Sequence, residues 1–141
     1  MQGVSQALAA RLAARHATRE EVRVLGQMVE DDLRVVDDPQ ALSRANRRFH
    51  HQIHLASHNR YLVQQLDIVH RTMALMARTS LAAEGRGLRS LSEHREIVEA
   101  IASGDADAAE KALRHHISTA FETRLMESAR AWASTIEQGR K

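Results

Sequence analysis

The sequence predicts an all-α fold, an antiparallel bundle of about six helices. Apolar residues recur at helical spacing along almost the whole chain, and they are mainly Ala, Leu, Val and Ile, small side chains that suit helix-on-helix packing. Six glycines and one proline leave few turns, which disfavours β sandwiches and barrels. A chain of 141 residues has room for one ordinary domain, so we expect residues 1–141 to form a single domain.

The first half of the chain divides into three helices. An alanine-rich segment at 4–16 is the first, and Thr18 with Glu21 forms a capping box that begins the second, which runs to about residue 36 with Leu33 on its buried face. Pro39 suits the first turn of a helix and opens the third, which ends near residue 57.

The second half divides into three more helices. The fourth covers roughly 60–82, and the glycine-rich loop that follows it has no phosphate-binding pattern. Ser90 or Ser92 is expected to cap the fifth helix, and Gly104 to end it. The sixth then runs from about residue 106 into the 130s, antiparallel to the fifth.

The composition excludes several classes of protein. No cysteine is present, so neither a disulfide framework nor a thiolate metal site can form. No apolar run reaches about 18 residues and no signal-peptide pattern occurs at the start, so we expect a cytoplasmic protein that does not enter membranes. The formal net charge of +2 does not by itself indicate nucleic-acid binding.

Histidine is unusually frequent. The chain has nine histidines, where about three or four would be ordinary for this length. Histidine is the commonest neutral metal ligand and titrates near physiological pH. The excess therefore indicates a metal site, or else histidines that have accumulated on solvated faces.

The positions of one asparagine and three of the histidines along the helices permit such a metal site. Asn46 and His50 are four apart and share one face of the third helix. His94 lies ten residues before Gly104 and His116 twelve after it, so an antiparallel pair places both at similar height. Three imidazoles and one oxygen suit Zn, Ni, Co or Mn rather than Ca or Mg. The alternative is four partly buried side chains with ordinary hydrogen-bond partners.

The other histidines are weaker candidates. His54 extends the face of His50 by one turn and would replace a ligand if the third helix were rotated. The remainder are expected to point elsewhere or to lie at the surface or at helix boundaries, namely His16, His51, His58, His70 and His115.

Five short motifs occur in order along the chain. They are A-N-R-R-F-H-H-Q-I at 45–53, A-S-H-N-R-Y-L at 56–62, S-E-H-R-E-I at 92–97, A-I-A-S-G-D at 100–105, and A-A followed by R-H-H-I within 108–117. In this order they resemble the FCD domain, the C-terminal effector domain of a large branch of GntR-family transcription regulators. The resemblance spans nearly the whole chain, about residues 4–130.

The resemblance implies a bundle of six or seven helices that binds a divalent metal through one Asp and three His. At the matching positions this chain has Asn46, His50, His94 and His116. Asn46 departs from the family pattern, because an amide offers a carbonyl oxygen without negative charge. The site should therefore bind metal more weakly, or the histidines should hold the effector without a metal.

The family also carries an N-terminal winged helix-turn-helix that reads DNA, and this chain begins at the effector domain. DNA binding is therefore expected only through a domain absent from these 141 residues. The resemblance further implies dimerisation through the effector domain. The alanine-rich first helix is expected to leave an apolar face uncovered, so we expect a homodimer.

A small carboxylate is the expected effector. Neutral ligands leave the full positive charge of a metal to be matched, and an organic acid at its open positions would match it. Arg71 and Arg78 of the fourth helix are candidates to clamp the far end of the acid bidentately. The alternative is that both arginines are solvated.

Three functions compete on this evidence. The first is a ligand-sensing domain that repositions an attached DNA-binding domain and is not an enzyme. The second is a metal-dependent hydrolase or hydratase with a three-histidine site. It needs a general base beside the metal, and Glu93 is expected to turn away because consecutive helical residues point about 100° apart. The third is a helical interaction domain without a ligand. A di-iron oxidase is disfavoured, because no histidine here has a glutamate three residues before it.

Overall fold

The computed structural model describes residues 2–76 and 83–140, with side chains for all of these except residues 2, 69 and 72–76. Within these ranges the chain forms six α-helices and no strand, which confirms the all-α bundle. In chain order the helices are α1 (Gln2–His16), α2 (Arg19–Asp32), α3 (Pro39–Ala56), α4 (Arg60–Met76), α5 (Arg86–Ala102) and α6 (Ala106–Gly139), with a 3-10 turn at Leu33–Val35.

The alanine-rich α1 lies inside the bundle rather than at an uncovered surface. Ala7, Ala9, Ala10 and Ala13 are fully buried, because side chains of one carbon allow α1 to approach α3, α5 and α6 closely. The alanines therefore do not form the uncovered apolar face that the sequence led us to expect, and the exposed apolar side chains of α1 are Val4 and Leu8. A dimer needs support from another surface.

The start of α2 follows the sequence prediction, and its end does not. The Thr18 hydroxyl accepts a hydrogen bond from the amide of Glu21, and the Glu21 carboxylate accepts one from the amide of Thr18, which completes the capping box. The α-helix ends at Asp32, and a 3-10 turn occupies Leu33–Val35. Leu33 is consequently 37% exposed, not part of the buried face as expected.

Helix α5 begins earlier than a serine cap would allow. Gly85 has φ +72°, a left-handed conformation that glycine adopts without strain, and the helix starts at the next residue. A Cβ atom at Gly87 would lie 3.0 Å from the Leu42 side chain and 3.2 Å from the carbonyl of Val36. Glycine at that position therefore lets the first turn of α5 pack closely. Ser90 is buried within the helix and caps nothing.

The turn between α5 and α6 is as predicted. Gly104 has φ +73°, its amide donates to the carbonyl of Ile101, and the amide of Asp105 donates to the carbonyl of Ala100. The Asp105 carboxylate then caps α6 by accepting from the amide of Ala108. This tight connection packs α5 against α6 and places His94 opposite His116.

Helix α6 is the longest element, 34 residues or about 51 Å. Its buried residues end at His116, and no side chain between 117 and 140 is buried. Large apolar residues are exposed in this second half, namely Phe121, Leu125, Met126, Trp132 and Ile136. In the described parts of the chain, none of the helices combines the length and the apolar character needed to cross a bilayer.

Candidate metal centre

Three histidines from three helices meet in the interior of the bundle. His50 of α3, His94 of α5 and His116 of α6 are each at most 4% exposed. The Nε2 atom of His116 lies 3.2 Å from Nε2 of His50 and 3.2 Å from Nε2 of His94. The ring of Phe49 stacks on His94 with the two centroids 4.1 Å apart, which fixes the plane of that imidazole.

The spacing of these nitrogens suits a shared cation. Two nitrogens bound at about 2.0–2.1 Å to one ion lie about 2.9–3.4 Å apart, depending on the coordination angle. The observed 3.2 Å falls in that interval. Among the described residues, this is the one group of three or more His, Asp or Glu ligand atoms that all lie within 4.8 Å of one another.

Hydrogen bonding alone does not satisfy the cluster. The Nδ1 atom of His116 lies 2.7 Å from Oε1 of Glu93, a carboxylate that can only accept, so Nδ1 carries the proton and Nε2 of the neutral ring carries a lone pair. That single lone pair faces two imidazoles. The Nδ1 atoms of His50 and His94 are buried and have no partner among the described residues. A cation bound by all three Nε2 lone pairs would remove the competition for the lone pair of His116 and would place the protons of His50 and His94 on Nδ1.

Burial keeps two of these rings ready to bind metal. It lowers the pKa of His50 and of His94 well below the usual value, and the nearby His116 lowers both further. The two rings are therefore neutral at neutral pH. A metal ion need not displace a proton from either of them.

Asn46 fits the position of a fourth ligand. It lies one helical turn before His50 on the same face of α3. Its Oδ1 atom is buried and has no hydrogen-bond partner among the described residues. A buried carbonyl oxygen without a donor is unfavourable by about 1–3 kcal/mol, and coordination of a cation would remove that penalty.

Glu93 contacts the cluster, contrary to the sequence-based expectation. Although its Cα direction differs from that of His94, its side chain is long enough to reach His116, which α6 presents beside α5. A carboxylate on the outer nitrogen of a ligating histidine fixes the tautomer and the ring orientation. Glu93 therefore holds the Nε2 atom of His116 toward the other two rings.

Arg86 is the functional residue that the sequence reasoning missed. Its side chain is 1% exposed, and its guanidinium donates to both oxygens of Glu93 at 3.0 and 2.7 Å. Burial would raise the pKa of Glu93, but the hydrogen bonds from His116 and Arg86 outweigh burial and lower the pKa to about 2. The signal was available in the sequence, because residues 86 and 93 are seven apart and share a face if α5 begins at Arg86.

The structure does not test whether the two arginines expected to hold an effector do so. Arg71 is an exposed residue near the end of α4. Arg78 lies outside the described residues. Their roles in effector binding stay predictions.

His54 does not join the three-histidine cluster. It is 1% exposed and lies toward α4, where its ring centroid is 5.6 Å from that of His70. His16 and His115 are exposed, as expected. His58 is half-exposed and lies 2.7 Å from the Glu21 carboxylate, which ties the α3–α4 turn to the start of α2.

Comparison with known proteins places this fold in a family. The family model of the FCD domain matches residues 6–119. The chain belongs to the FCD-domain family. FCD domains occur in GntR-type transcription regulators, so the match confirms the relationship that the five motifs indicated.

Two relatives from Escherichia coli K12 support a regulatory role. The chain is 31% identical over 105 residues to the galactonate operon transcriptional repressor of Escherichia coli K12, which covers 73% of this chain and 45% of that protein. It is also 31% identical over 86 residues to a putative L-lactate dehydrogenase operon regulatory protein of the same organism, covering 58% of this chain and 33% of the relative. Both are regulators rather than enzymes, which agrees with the expectation that this FCD domain is not an enzyme.

The solved structure of E. coli McbR/YncC has the same fold. The two superpose with a TM-score of 0.70 over 93% of this chain and 62% of that one, at 14% sequence identity. The FCD chain described here spans less than half the length of the two curated relatives.

Proposed function

We propose that this FCD chain is a single effector-sensing domain that binds a divalent transition metal and a small organic acid. His50, His94 and His116 would hold the metal, with Asn46 as the fourth ligand. The observation that carries the proposal is the convergence of three buried Nε2 atoms. The Nε2 atom of His116 lies 3.2 Å from that of His50 and 3.2 Å from that of His94. The donor set is borderline-soft and suits Zn, Ni, Co or Mn.

The charge around the cluster favours an anionic effector. The three imidazoles and the Asn46 amide contribute no negative charge. Glu93 is the carboxylate next to the cluster, and Arg86 neutralises it. A bound divalent cation therefore keeps its charge, and a carboxylate effector is the ligand that would balance it. Arg71 and Arg78 remain our candidates for the far end of that effector.

Sensing would act through the relative positions of helices. The ligands come from α3, α5 and α6, so an effector at this centre contacts three elements of the bundle at once. An effector that binds one arrangement more tightly than another shifts the population toward it, by no more than its difference in affinity. Glu93 is unsuited to act as a general base, since both of its oxygens are engaged by Arg86 and His116. Catalysis is for this reason the less favoured interpretation.

The attached partner would be a DNA-binding domain. The named relatives are transcription regulators more than twice as long as the segments that match. We infer that this domain controls DNA binding by a separate domain of a GntR-type regulator in the cytoplasm.

Thermal stability in the presence of organic acids tests the sensor function. The metal-loaded domain is screened with small hydroxy and sugar acids, including L-lactate and galactonate, which the names of the relatives suggest. A true effector should raise Tm in proportion to the logarithm of its concentration, and at 100 times its Kd it should add about 2.7 kcal/mol of stability. The shift should shrink on chelation of the metal and in Arg71→Ala. A panel without any metal-dependent shift would refute the anion-sensor function.

Asn46→Asp tests the fourth ligand. A carboxylate adds a negative charge at a position one turn from His50, so metal affinity should rise. Calorimetric titration of the metal-free protein measures this change, and Gln138→Glu, which adds a carboxylate at an exposed position near the end of α6, serves as a charge control. Unchanged affinity in Asn46→Asp would show that residue 46 does not reach the metal.

A homodimer is our proposed assembly. Large apolar residues are exposed on the second half of α6, among them Phe121, Leu125 and Trp132. Exposed apolar side chains in such number are unfavourable in water, which supports an interface with a second chain on this part of α6. Multi-angle light scattering should give the mass of two chains. A dimer with a dissociation constant in the low micromolar range or below would remain associated at a protein concentration of tens of micromolar, so a monomer mass at that concentration contradicts the dimer.

A further inference from the structure

A second set of metal-ligating side chains lies between α3 and α4. His51 and His54 are three residues apart on α3, and Asp67 and His70 are three apart on the neighbouring α4. Residues at this spacing occupy one face of a helix. The Nδ1 atom of His51 lies 3.2 Å from Oδ1 of Asp67, and the rings of His54 and His70 have centroids 5.6 Å apart. Two facing pairs therefore offer three imidazoles and one carboxylate.

His54 is the residue in this set that lacks an explanation. It is 1% exposed, and neither of its ring nitrogens has a hydrogen-bond partner among the described residues. An imidazole always carries at least one N–H, so within the described part of the chain this buried ring has an N–H without an acceptor and, when neutral, a lone pair without a donor. Such groups are expensive to leave unsatisfied, and native proteins rarely do so. By contrast, His58 and His116 both contact carboxylates.

The chemistry of the set favours a cation over an anion. Asp67 would repel a carboxylate effector, and it supplies the negative charge that the three-histidine cluster lacks. Burial lowers the pKa of His54 to about 4, with His70 and His51 contributing, and burial also lowers the pKa of His70. Both rings thus present free lone pairs at neutral pH.

A shared ion requires side-chain rotations, because no three of these residues have ligand atoms that all lie within 4.8 Å of one another. Two imidazoles bound at about 2.0–2.1 Å to one ion have centroids about 5–6 Å apart, which matches the 5.6 Å between His54 and His70. His51 and His54 have centroids 6.5 Å apart, so His51 must rotate toward the ion. It is half-exposed and free to do so.

We propose that His51, His54, Asp67 and His70 form a second binding site for a divalent transition metal. It shares no ligand with the three-histidine cluster and does not depend on the sensor function proposed above. A cation there would join α3 to α4. Since Arg71 follows His70 directly, it would also fix the position of the α4 turn that carries Arg71.

Counting bound zinc tests this site. Untagged, metal-free protein is titrated with Zn²⁺, and the ions retained per chain are measured by calorimetry and elemental analysis. The wild type should bind two ions, and His70→Gln and Asp67→Asn should each lose or weaken one by at least 10-fold. These positions are partly exposed, which avoids the folding risk of replacing buried His54. His16→Gln, which removes an exposed histidine elsewhere, should retain both ions, and circular dichroism should show intact helices in all variants.

The same titration separates this site from the first. His94→Ala should keep the ion that His70→Gln loses, and the double variant should bind none. A wild type that binds one ion, lost in His94→Ala and unaffected in His70→Gln, would overturn the second site and leave the three-histidine centre standing. Two ions that both persist in His70→Gln and Asp67→Asn would overturn it as well. One ion lost in His70→Gln and kept in His94→Ala would support the second site and count against the first.

Discussion

His116→Ala is expected to remove one tightly bound metal ion per chain. His116 is the central member of the cluster, with its Nε2 atom 3.2 Å from those of both His50 and His94. Loss of a partner that merely orients a ligand typically weakens metal binding about 10–100-fold, so loss of the ligand itself should exceed that range. Metal content after exhaustive dialysis and the Kd from chelator competition measure the effect.

The neighbouring histidine provides a matched control. His115→Ala changes the same residue type one position away, where the side chain is exposed, and should leave metal binding unchanged. His94→Ala should reproduce the loss. Wild-type metal content in both His94→Ala and His116→Ala would show that the cluster does not hold the metal.

Arg86→Leu is expected to destabilise the fold by about 3–5 kcal/mol. It leaves the Glu93 carboxylate, whose side chain is 13% exposed, without its bidentate partner, and breaking a buried ion pair from one side typically has this magnitude. Urea denaturation of the metal-free protein measures the change in the free energy of unfolding without a contribution from metal binding.

Two further variants separate the buried pair from charge in general. Arg95→Ala breaks the exposed pair between Arg95 and Glu30, and exposed pairs are worth less than about 1 kcal/mol. Adding Glu93→Gln to Arg86→Leu removes the stranded charge and should recover part of the stability. A loss in Arg86→Leu no larger than in Arg95→Ala would contradict the structural role assigned to the buried pair.

Much of the fold could be predicted because its signals are local. The buried face of α3 follows the periodicity of Leu42, Ala45, Phe49 and Ile53, all of which are buried. The Gly104 turn is set by a glycine in the left-handed conformation. Because that turn makes α5 and α6 antiparallel, the number of residues on each side of Gly104 was enough to predict that His94 lies opposite His116. The two rings are in contact in the structure.

The remainder depended on packing that a single helix does not reveal. The predicted direction of the Glu93 side chain was wrong. A helical wheel gives the direction of the Cα–Cβ bond, whereas a long side chain can reach a residue on a neighbouring helix. Arg86 was missed because the expected serine cap placed it in a loop. The burial of the α1 alanines depends on how closely three other helices approach, and the hidden environment of His54 depends on α4.

Anomalous diffraction would locate a metal ion bound by the three histidines. Crystals of untagged protein, grown after incubation with Co²⁺ or Zn²⁺, are measured above and below the absorption edge of the metal. We predict an anomalous peak within about 2.0–2.2 Å of the Nε2 atoms of His50, His94 and His116, with the Asn46 carbonyl oxygen as its next protein ligand. A metal-loaded crystal with no peak between these three imidazoles would show that the cluster is not a metal centre.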